Sequence, residues 1–501
     1  YVAIHINDTH PSVAVAELMR ILVDVEELPW DQAWKITTNT LAYTNHTIMS
    51  EALEKWPVDM FRNLLPRIYM IVEEINMRFC NEIRFRYPGD DNKVNDMSII
   101  HDGYIKMAFL AIVGSHSVNG VAKLHTEILK NQELANFYKF YPWKFNNKTN
   151  GITHRRWLMK ANPELTDVIT DVIGDEWVRQ PNELIRLEQF KKDSALQSKV
   201  ESVKKNNKIK FANEIKQYYG IDIDPNSIFD VQVKRLHAYK RQLLNVFNIM
   251  DLYNRLLQNP DLDIVPRTFF FGAKASPSYY LAKQTIKLIN SVAQKINNDK
   301  TIKDKIKIVF LENYRVSLAE KIIPCADVSE QISTTTKEAS GTGNMKFMMN
   351  GAVTIATLDG ANVEIKEQVG DENIVIFGLN ASEVLDYYKY RCYFPMDIYK
   401  NDPRVNLIIN QLTNGFLDVP NREFINIYDS LMVHNDEYFV LKDFDSYVTA
   451  QGKIDWLYRQ KEKWLEMCIV NIAHSGVFSS DNTIKEYSKD IWGTKGIDIK
   501  I

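Results

Sequence analysis

The chain has 501 residues, a net charge of −3, a sequence pI near 6.4 and 45% hydrophobic residues. That length predicts two or more domains with sizeable cores, and the near-neutral balance leaves no electrostatic footprint for nucleic acid or an anionic membrane surface. The four cysteines, Cys80, Cys325, Cys392 and Cys468, are scattered with no Cys-x-x-Cys pair, which argues against a metal centre and a disulfide framework and for a reducing cytosol.

Tyr1 to Ile6 reads as a buried opening strand, and a chain that begins inside a strand, without an initiator methionine, looks cut. No signal peptide is read there. Residues 1–150 are otherwise expected to be mainly helical. Val13 to Glu27 carries apolar residues at helical spacing, and Asp31 is a candidate N-cap. Phe61 to Phe85 is a long amphipathic pattern stopped by Pro88 and Gly89, and Gly120 to Lys130 again fits helix. The apolar run Met107 to Val113 is too short to cross a bilayer. From Gly151 the pattern changes. Ile228–Val233, Arg267–Phe271, Lys307–Leu311 and Ala352–Thr357 are strand candidates. Helices are expected between them at Lys240–Leu257, Tyr279–Ile296 and from Ser317. Alternation of this kind predicts a doubly wound parallel sheet, in which ligands bind beyond the carboxyl ends of the strands. The basic run Lys204 to Lys210 reads as the solvated face of a helix.

One segment stands apart: EASGTGNMKFMMNG at 338–351. It places Gly341 and Gly343 and the hydroxyls of Ser340 and Thr342 before a short apolar helix, with Lys346 one turn inside. Thr342 and Lys346 are spaced i, i+4 and rise on one helix face, about 5.4 Å apart along the axis. That suits a ligand with a phosphate at one end and an aldehyde at the other. The phosphate would meet the free N–H groups of the helix start, and the aldehyde the lysine amine. A Gly-x-Gly before a helix is also commonly just a turn. It is not a dinucleotide fingerprint here, because Lys346 stands where a third glycine belongs, and no Walker sequence follows.

The run Glu338 to Lys346, followed by Asn350–Gly351–Ala352 and DGANVE at 359–364, closely resembles the cofactor-lysine segment of the α-glucan phosphorylases, the glycogen and starch phosphorylases. The similarity extends from Val2 to about Trp492. It implies an α/β fold: a doubly wound, Rossmann-like C-terminal domain at 151–501 with a terminal helix, in a glycosyltransferase architecture of the GT-B type. Residues 1–150 would be a mostly helical remnant of the N-terminal domain. The family's regulatory sites and the glycine-rich loop over its active site would lie upstream. Two departures stand out: His154 replaces a usual proline and is expected to loosen its loop, and GAKASP at 272–277 varies a glycine and an alanine.

The resemblance also implies chemistry. The family carries pyridoxal 5′-phosphate on the lysine matching Lys346. A second basic constellation, VKRLHAYKR at 233–241, follows the first strand of the sheet. On its own such a run is commonly a solvated loop, but two adjacent phosphates would bring up to about four negative charges and need several cations. In the family the matches to Lys234, Lys240 and Thr342 surround the cofactor phosphate, with Gly341 and Gly343 beside it, and the match to Arg235 grips the substrate phosphate. Tyr314 and Arg315, in ENYRVS at 312–317, match positions lining the cofactor, and Trp157 is expected to pack against that region. The matches to His46, Asn150, Tyr239, Glu338 and Ser340 contact the glucosyl unit, and Gly341 lies with them; Asp8 and His10 match a loop near the catalytic cleft. An isolated histidine at a helix end is otherwise a cap or a packed residue, and Glu338 a structural carboxylate.

The implied reaction is reversible phosphorolysis of the terminal glucosyl unit of an α-1,4-glucan to α-glucose 1-phosphate. The catalytic set would be Lys346, Arg235, Lys234, Lys240 and His46. A Schiff base with Lys346 anchors the cofactor, whose phosphate exchanges a proton with inorganic phosphate, so no glycosidase pair of carboxylates is needed. A cytosolic homodimer is implied, with no metal. Two other readings stay open: a pyridoxal-phosphate enzyme acting on amino acids, which would need an acidic partner at the pyridine nitrogen, and an inactive piece that binds cofactor or glucan only.

Overall fold

A computed structural model describes residues 2–49 and 52–497; Tyr1, the first residue of the expected opening strand, lies outside them. The chain divides into two compact units. The first comprises residues 1–150, Thr336–Ser340 and the stretch from Asn482 onward; the second comprises Gly151–Thr335 and Gly341–Asp481. Residues 151–501 are therefore not one continuous unit. Ala339 joins the first unit by packing with Ile48, Val121 and Ile128. Tyr487 joins it through its hydroxyl, which accepts from Asn119 Nδ2 at 2.9 Å, and Trp492 by donating from Nε1 to His5 Nδ1 at 3.1 Å.

The strands of the first unit are β1 (Ile4–Asn7), β2 (Leu41–Thr44), β3 (Lys55–Pro57), β4 (Ile100–His101), β5 (Tyr104–Lys106), β6 (Ser117–Gly120) and β7 (Phe145–Asn147). β1, β2, β6 and β7 form a parallel sheet in that order, and Ile6, Tyr43, Val118 and Phe145 stand in register across it. A small antiparallel sheet has the order β3-β5-β4. The unit is thus more than a helical remnant. The strands after β1 escape a sequence reading because they are at most four residues long and carry Ser, Thr, Asn and Tyr without alternation. β1 is an edge strand with Ile4 42% exposed, not the buried strand expected. Asp31 is not an N-cap: the helix Trp30–Thr40 starts from Pro29, and Asp31 lies in its first turn. The long helical pattern splits at Pro66, which opens the helix Pro66–Arg86 after the helix Val58–Leu64, as the missing N–H of proline favours.

In the second unit β8 (Ile228–Val233), β9 (Arg267–Gly272), β10 (Ile306–Leu311), β11 (Val328–Gln331), β12 (Val353–Ala356) and β13 (Val375–Ile376) form one parallel sheet, order β10-β9-β8-β11-β12-β13. This is the doubly wound order. The chain runs outward from β8 to β10, returns, and runs outward again from β11 to β13, so the crevice for ligands lies beyond the carboxyl ends of β8 and β11. Two large apolar cores occupy the unit, one containing Leu244, Phe269, Leu288 and Phe271, the other Phe229, Phe270, Met345 and Phe347, with a small third cluster at Val384, Tyr393 and Phe439.

The run Lys204 to Lys210 is not a solvated face. It lies in the helix Ser194–Tyr219. Lys208 is 2% exposed and pairs with Asp327 at 2.6 Å, and Lys204 donates to the carbonyls of Ala326 and Asn350 at 2.7 and 3.0 Å. His154 does not loosen its loop either: fully buried, it bonds Val178 O at 2.9 Å and Ser479 Oγ at 3.2 Å. No helix among the described residues is long and apolar enough to cross a membrane.

Candidate functional site

In the second unit the candidate residues gather past the carboxyl ends of the strands. The basic loop leaves β8 with its backbone still tied to β9: the N–H of Lys234 donates to Gly272 O at 2.9 Å. Its far end is pinned by Arg241, which holds a left-handed φ of +56° and is fully buried. Arg241 donates to Asp443 at 2.6 Å and to the carbonyls of Ile332 and Ser333 at 2.8 and 3.1 Å. The last two carbonyls lie just past β11, so one guanidinium ties the loop after β8 to the chain leaving β11. Between these anchors Lys234 is half-buried and donates to Gln331 Oε1 at 3.0 Å. The Lys240 ammonium stands 4.7 Å from the centre of the Tyr239 ring, and Arg235 points to solvent.

Gln331 ends β11, and a Cβ placed on Gly343 would come 4.0 Å from its amide nitrogen. The helix Gly343–Met349 therefore starts beside the acceptor of Lys234. Gly341 takes φ +72° to make the turn, a conformation that costs other residues strain. Lys346 sits one turn in, with its amide N–H on Thr342 O at 3.3 Å. Its amine is mostly shielded, 4.0 Å from the centre of the Trp157 ring, and among the described residues it forms no ion pair with a carboxylate. Burial holds this amine below the usual lysine range, which raises the fraction present as a neutral nucleophile. Trp157 is fixed in turn, since Asn350 Nδ2 donates to its carbonyl at 2.7 Å and to Lys346 O at 2.9 Å.

The motif DGANVE braces this arrangement. Asp359 accepts from Ser333 Oγ at 2.7 Å, Asn362 Oδ1 accepts from Asn344 at 2.9 Å, and Asn362 Nδ2 donates to Gln331 O at 3.2 Å. At the end of β9, Gly272 leaves room for Tyr314: a Cβ there would stand 3.3 Å from the Tyr314 ring and 2.9 Å from Val233. Burial pushes the Tyr314 hydroxyl up. Arg315 is exposed at the start of the helix Val316–Cys325, where a bound anion would relieve an unfavourable cation.

The remaining candidates, Asp8, His10, His46, Asn150, Glu338 and Ser340, belong to the first unit. Asp8 follows β1, with its N–H on Thr44 O at 2.9 Å and φ +62°. His46 lies two residues past β2 and donates from Nε2 to Asn7 Oδ1 at 2.6 Å. Burial lowers its pKa, against an upward pull from Asp8. His10 is exposed, 3.6 Å from Glu54, and the N–H of Asn150, beyond β7, donates to Val121 O at 3.0 Å. These residues thus follow the carboxyl ends of β1, β2 and β7. Glu338 is half-buried and Ser340 buried. Gln331 and Arg241 are the positioning residues a sequence reading overlooks: one is a lone glutamine in a polar strand, the other hides in a run of cations.

The family model for carbohydrate phosphorylases matches residues 1–494. The chain is 60% identical over 494 residues to the glycogen phosphorylase of Bacillus subtilis (strain 168), covering 99% of this chain and 62% of that protein. It is 49% identical over 497 residues to the muscle form of glycogen phosphorylase from Oryctolagus cuniculus and 48% identical to that from Homo sapiens, covering 99% of this chain and 59% of each. The chain spans about three fifths of the length of these curated relatives. A family match that runs through both units, site loops included, leaves one conclusion: the chain belongs to the carbohydrate phosphorylase family.

Proposed function

We propose that this chain carries the residues of an α-1,4-glucan phosphorylase, which converts the terminal glucosyl unit and inorganic phosphate to α-glucose 1-phosphate and back. The observation that carries the proposal is Lys346: a shielded amine of lowered basicity, without a carboxylate counter-ion among the described residues, one turn into a glycine-led helix beside the acceptor of Lys234. Relatives named glycogen phosphorylase, at 48–60% identity, support glucan chemistry over a reaction on amino acids. The presence of a parallel sheet in each unit supports a GT-B type architecture. Four free cysteines fit a reducing cytosol, and the proposal extends to a homodimer.

The donor set fits pyridoxal 5′-phosphate. Lys346 would take the aldehyde, Thr342 and the ammonium groups of Lys234 and Lys240 the phosphate, and Gly341 and Gly343 keep the approach clear. Tyr314, Arg315 and Trp157 would line the rest. When bound, this cofactor supplies a phosphate that titrates near neutrality and can exchange a proton with a second phosphate. Arg235 is the solvent-facing cation of the same loop and offers inorganic phosphate a planar, bidentate grip. Lys234 and Lys240 offset the repulsion between neighbouring anions. On the glucan side, His46 with Nε2–H engaged by Asn7 is neutral at pH 7, and with Asp8, His10, Asn150, Tyr239, Glu338 and Ser340 supplies donors and acceptors for sugar hydroxyls.

The test incubates the chain with pyridoxal 5′-phosphate and measures glucose 1-phosphate formed from maltoheptaose and phosphate. A second chain, extended to the length of its relatives, is assayed beside it. Formation by either, lost in Lys346→Ala together with cofactor absorbance, is expected. Arg235→Ala should keep the absorbance and lose roughly 100-fold in kcat/KM. Cofactor bound by both chains with no phosphate consumed by either would end the proposal.

A further inference from the structure

Past the carboxyl ends of β2, β6 and β7 the backbones of the first unit keep contact for one more step. The N–H of Asn45 donates to Asn119 O at 3.0 Å, and the N–H of Lys148 donates to Gly120 O at 3.1 Å. Beyond that the chains part into loops, two of which carry His46 and Asn150. Strands that separate lose the ladder that set their spacing, so side chains must hold such loops in register.

One imidazole does this. His125 lies in the helix Lys123–Ile128, which follows β6, and is fully buried. Its Nε2–H donates to Asn45 Oδ1 at 3.0 Å, and its Nδ1 accepts the N–H of Val121 at 3.1 Å. A backbone N–H can only donate, so Nδ1 is the bare nitrogen and the tautomer is fixed. Each arm leads on to a candidate sugar residue. Asn45 Oδ1 also accepts the N–H of Thr47 at 3.0 Å, so this amide brackets His46 from both sides in sequence. Asn45 Nδ2 donates to the Tyr43 hydroxyl at 3.1 Å, which keeps Oδ1 turned to His125. On the other arm the carbonyl of Val121 accepts the N–H of Asn150 at 3.0 Å. The Val121 side chain packs with Ile48, Ile128 and Ala339. Ile48 continues the loop of His46, and Ala339 stands between Glu338 and Ser340.

The ring itself is not placed for chemistry. Burial lowers its pKa to about 4, both nitrogens are engaged, and no part of it reaches solvent. A histidine that serves packing alone needs its polar atoms satisfied by any neighbour. Here the two partners lead into two loops that leave different strands, and both loops carry candidate sugar contacts.

We propose that His125 is a positioning residue of the glucosyl subsite: its neutral imidazole couples the loop of His46 to the loop of Asn150 and sets the spacing between them. The sugar role of the loops rests on the proposed function; their coupling does not. The two arms can be cut separately. Asparagine sets its amide oxygen where Nδ1 stands, one bond from Cγ, and glutamine sets its amide where Nε2 stands, two bonds from Cγ. His125→Asn therefore keeps the acceptor for Val121 and loses the donor to Asn45, and His125→Gln does the reverse. Amide exchange is followed in the cofactor-loaded parent and in both variants. In His125→Asn, Thr47 should exchange about tenfold faster or more, with Val121 and Asn150 at the parent's rates; in His125→Gln, Val121 and Asn150 should speed up and Thr47 should not. Asn45→Ala cuts the first arm from its far end and should also leave Val121 and Asn150 at the parent's rates, a check that stands if His125→Asn folds poorly. A ring that only fills space would, when replaced, speed all three sites alike, and that result, or no change at any of them, would overturn the proposal. Glucose 1-phosphate formation is the second readout, with the extended chain assayed beside this one. Each His125 variant should lose roughly 10–100-fold in kcat/KM. In double-mutant cycles His125→Asn should be non-additive with His46→Ala and additive with Asn150→Ala, and His125→Gln the opposite. Additivity in every cycle would also overturn the proposal. If the exchange pattern appears but no chain turns over glucan, the proposed function falls and the coupling of the loops stands. If the parent turns over glucan and both variants exchange and react as it does, the reverse holds.

Discussion

Arg235 and Arg241 stand six residues apart on one loop and have opposite surroundings. Arg241 has no solvent contact, a carboxylate partner at 2.6 Å and two backbone carbonyls, whereas Arg235 is exposed. Removing one partner of a buried ion pair leaves the other charge uncompensated in a medium that solvates it poorly. Arg241→Met should therefore cost about 3–5 kcal/mol of stability, read as a lower denaturant midpoint for the second unit. Arg235→Met should change stability by no more than about 0.5 kcal/mol while weakening the use of phosphate. Equal midpoints for the two variants would contradict the division of labour drawn from their burial. The sequence shows a run of cations, and nothing in the run says which one faces inward. That depends on Asp443, some 200 positions away.

The helix Ser194–Tyr219 is latched to the sheet by the same kind of contact. Lys208 pairs with Asp327, and Asp327 also accepts from the N–H of Phe229 at 2.8 Å, so the latch reaches β8 directly. Lys208→Met should destabilise the second unit by about 3–5 kcal/mol, and Lys208→Met with Asp327→Leu by distinctly less, because the double change removes both charges. Strict additivity in a double-mutant cycle would refute the latch. Elements of this unit were readable to the extent that their burial was apolar. β8, β9, β10 and β12 are hydrophobic runs and stand near their predicted positions. β11, Val-Ser-Glu-Gln, looks like a loop until Glu330 is seen to be satisfied by Tyr447 and Gln451 at 2.9 and 2.7 Å. The glycine-led helix and its lysine were legible because they are contiguous. The props beneath them, Gln331, Asn344 and Asn362, are single amides whose partners lie tens of residues away.

Buried groups in the two units contribute acid responses of opposite sign. In the first, burial lowers the pKa of His5 and of His125 to about 4. Each Nδ1 already accepts an N–H, from Trp492 and from Val121 at 3.1 Å, so a proton there would set donor against donor. These folded values lie below the ordinary 6.5, so between pH 6.5 and 4 the unfolded chain binds up to two more protons than the folded unit. Stability is then lost as pH falls, by at most about 2.7 kcal/mol per pH unit. In the second unit burial and mutual repulsion raise Asp230 and Glu330, and the pair retains a proton that free carboxylates would have released. This term has the reverse sign: it favours the folded unit below the ordinary carboxylate range and is lost as pH rises through the raised value, at about 1.4 kcal/mol per pH unit for one proton. Hydrogen exchange at pH 7 and pH 5, corrected for intrinsic rates, should therefore show protection falling more in β2 and β6 than in β8 and β11. His125→Asn should flatten the first response by one proton, and Glu330→Gln should remove the pair's share of the second, leaving that of Asp436, which burial raises to about 7. Equal loss of protection in both units, or a Glu330→Gln variant with the parent's pH dependence, would mean that the buried histidines and the carboxyl pair do not set the acid limit of this molecule.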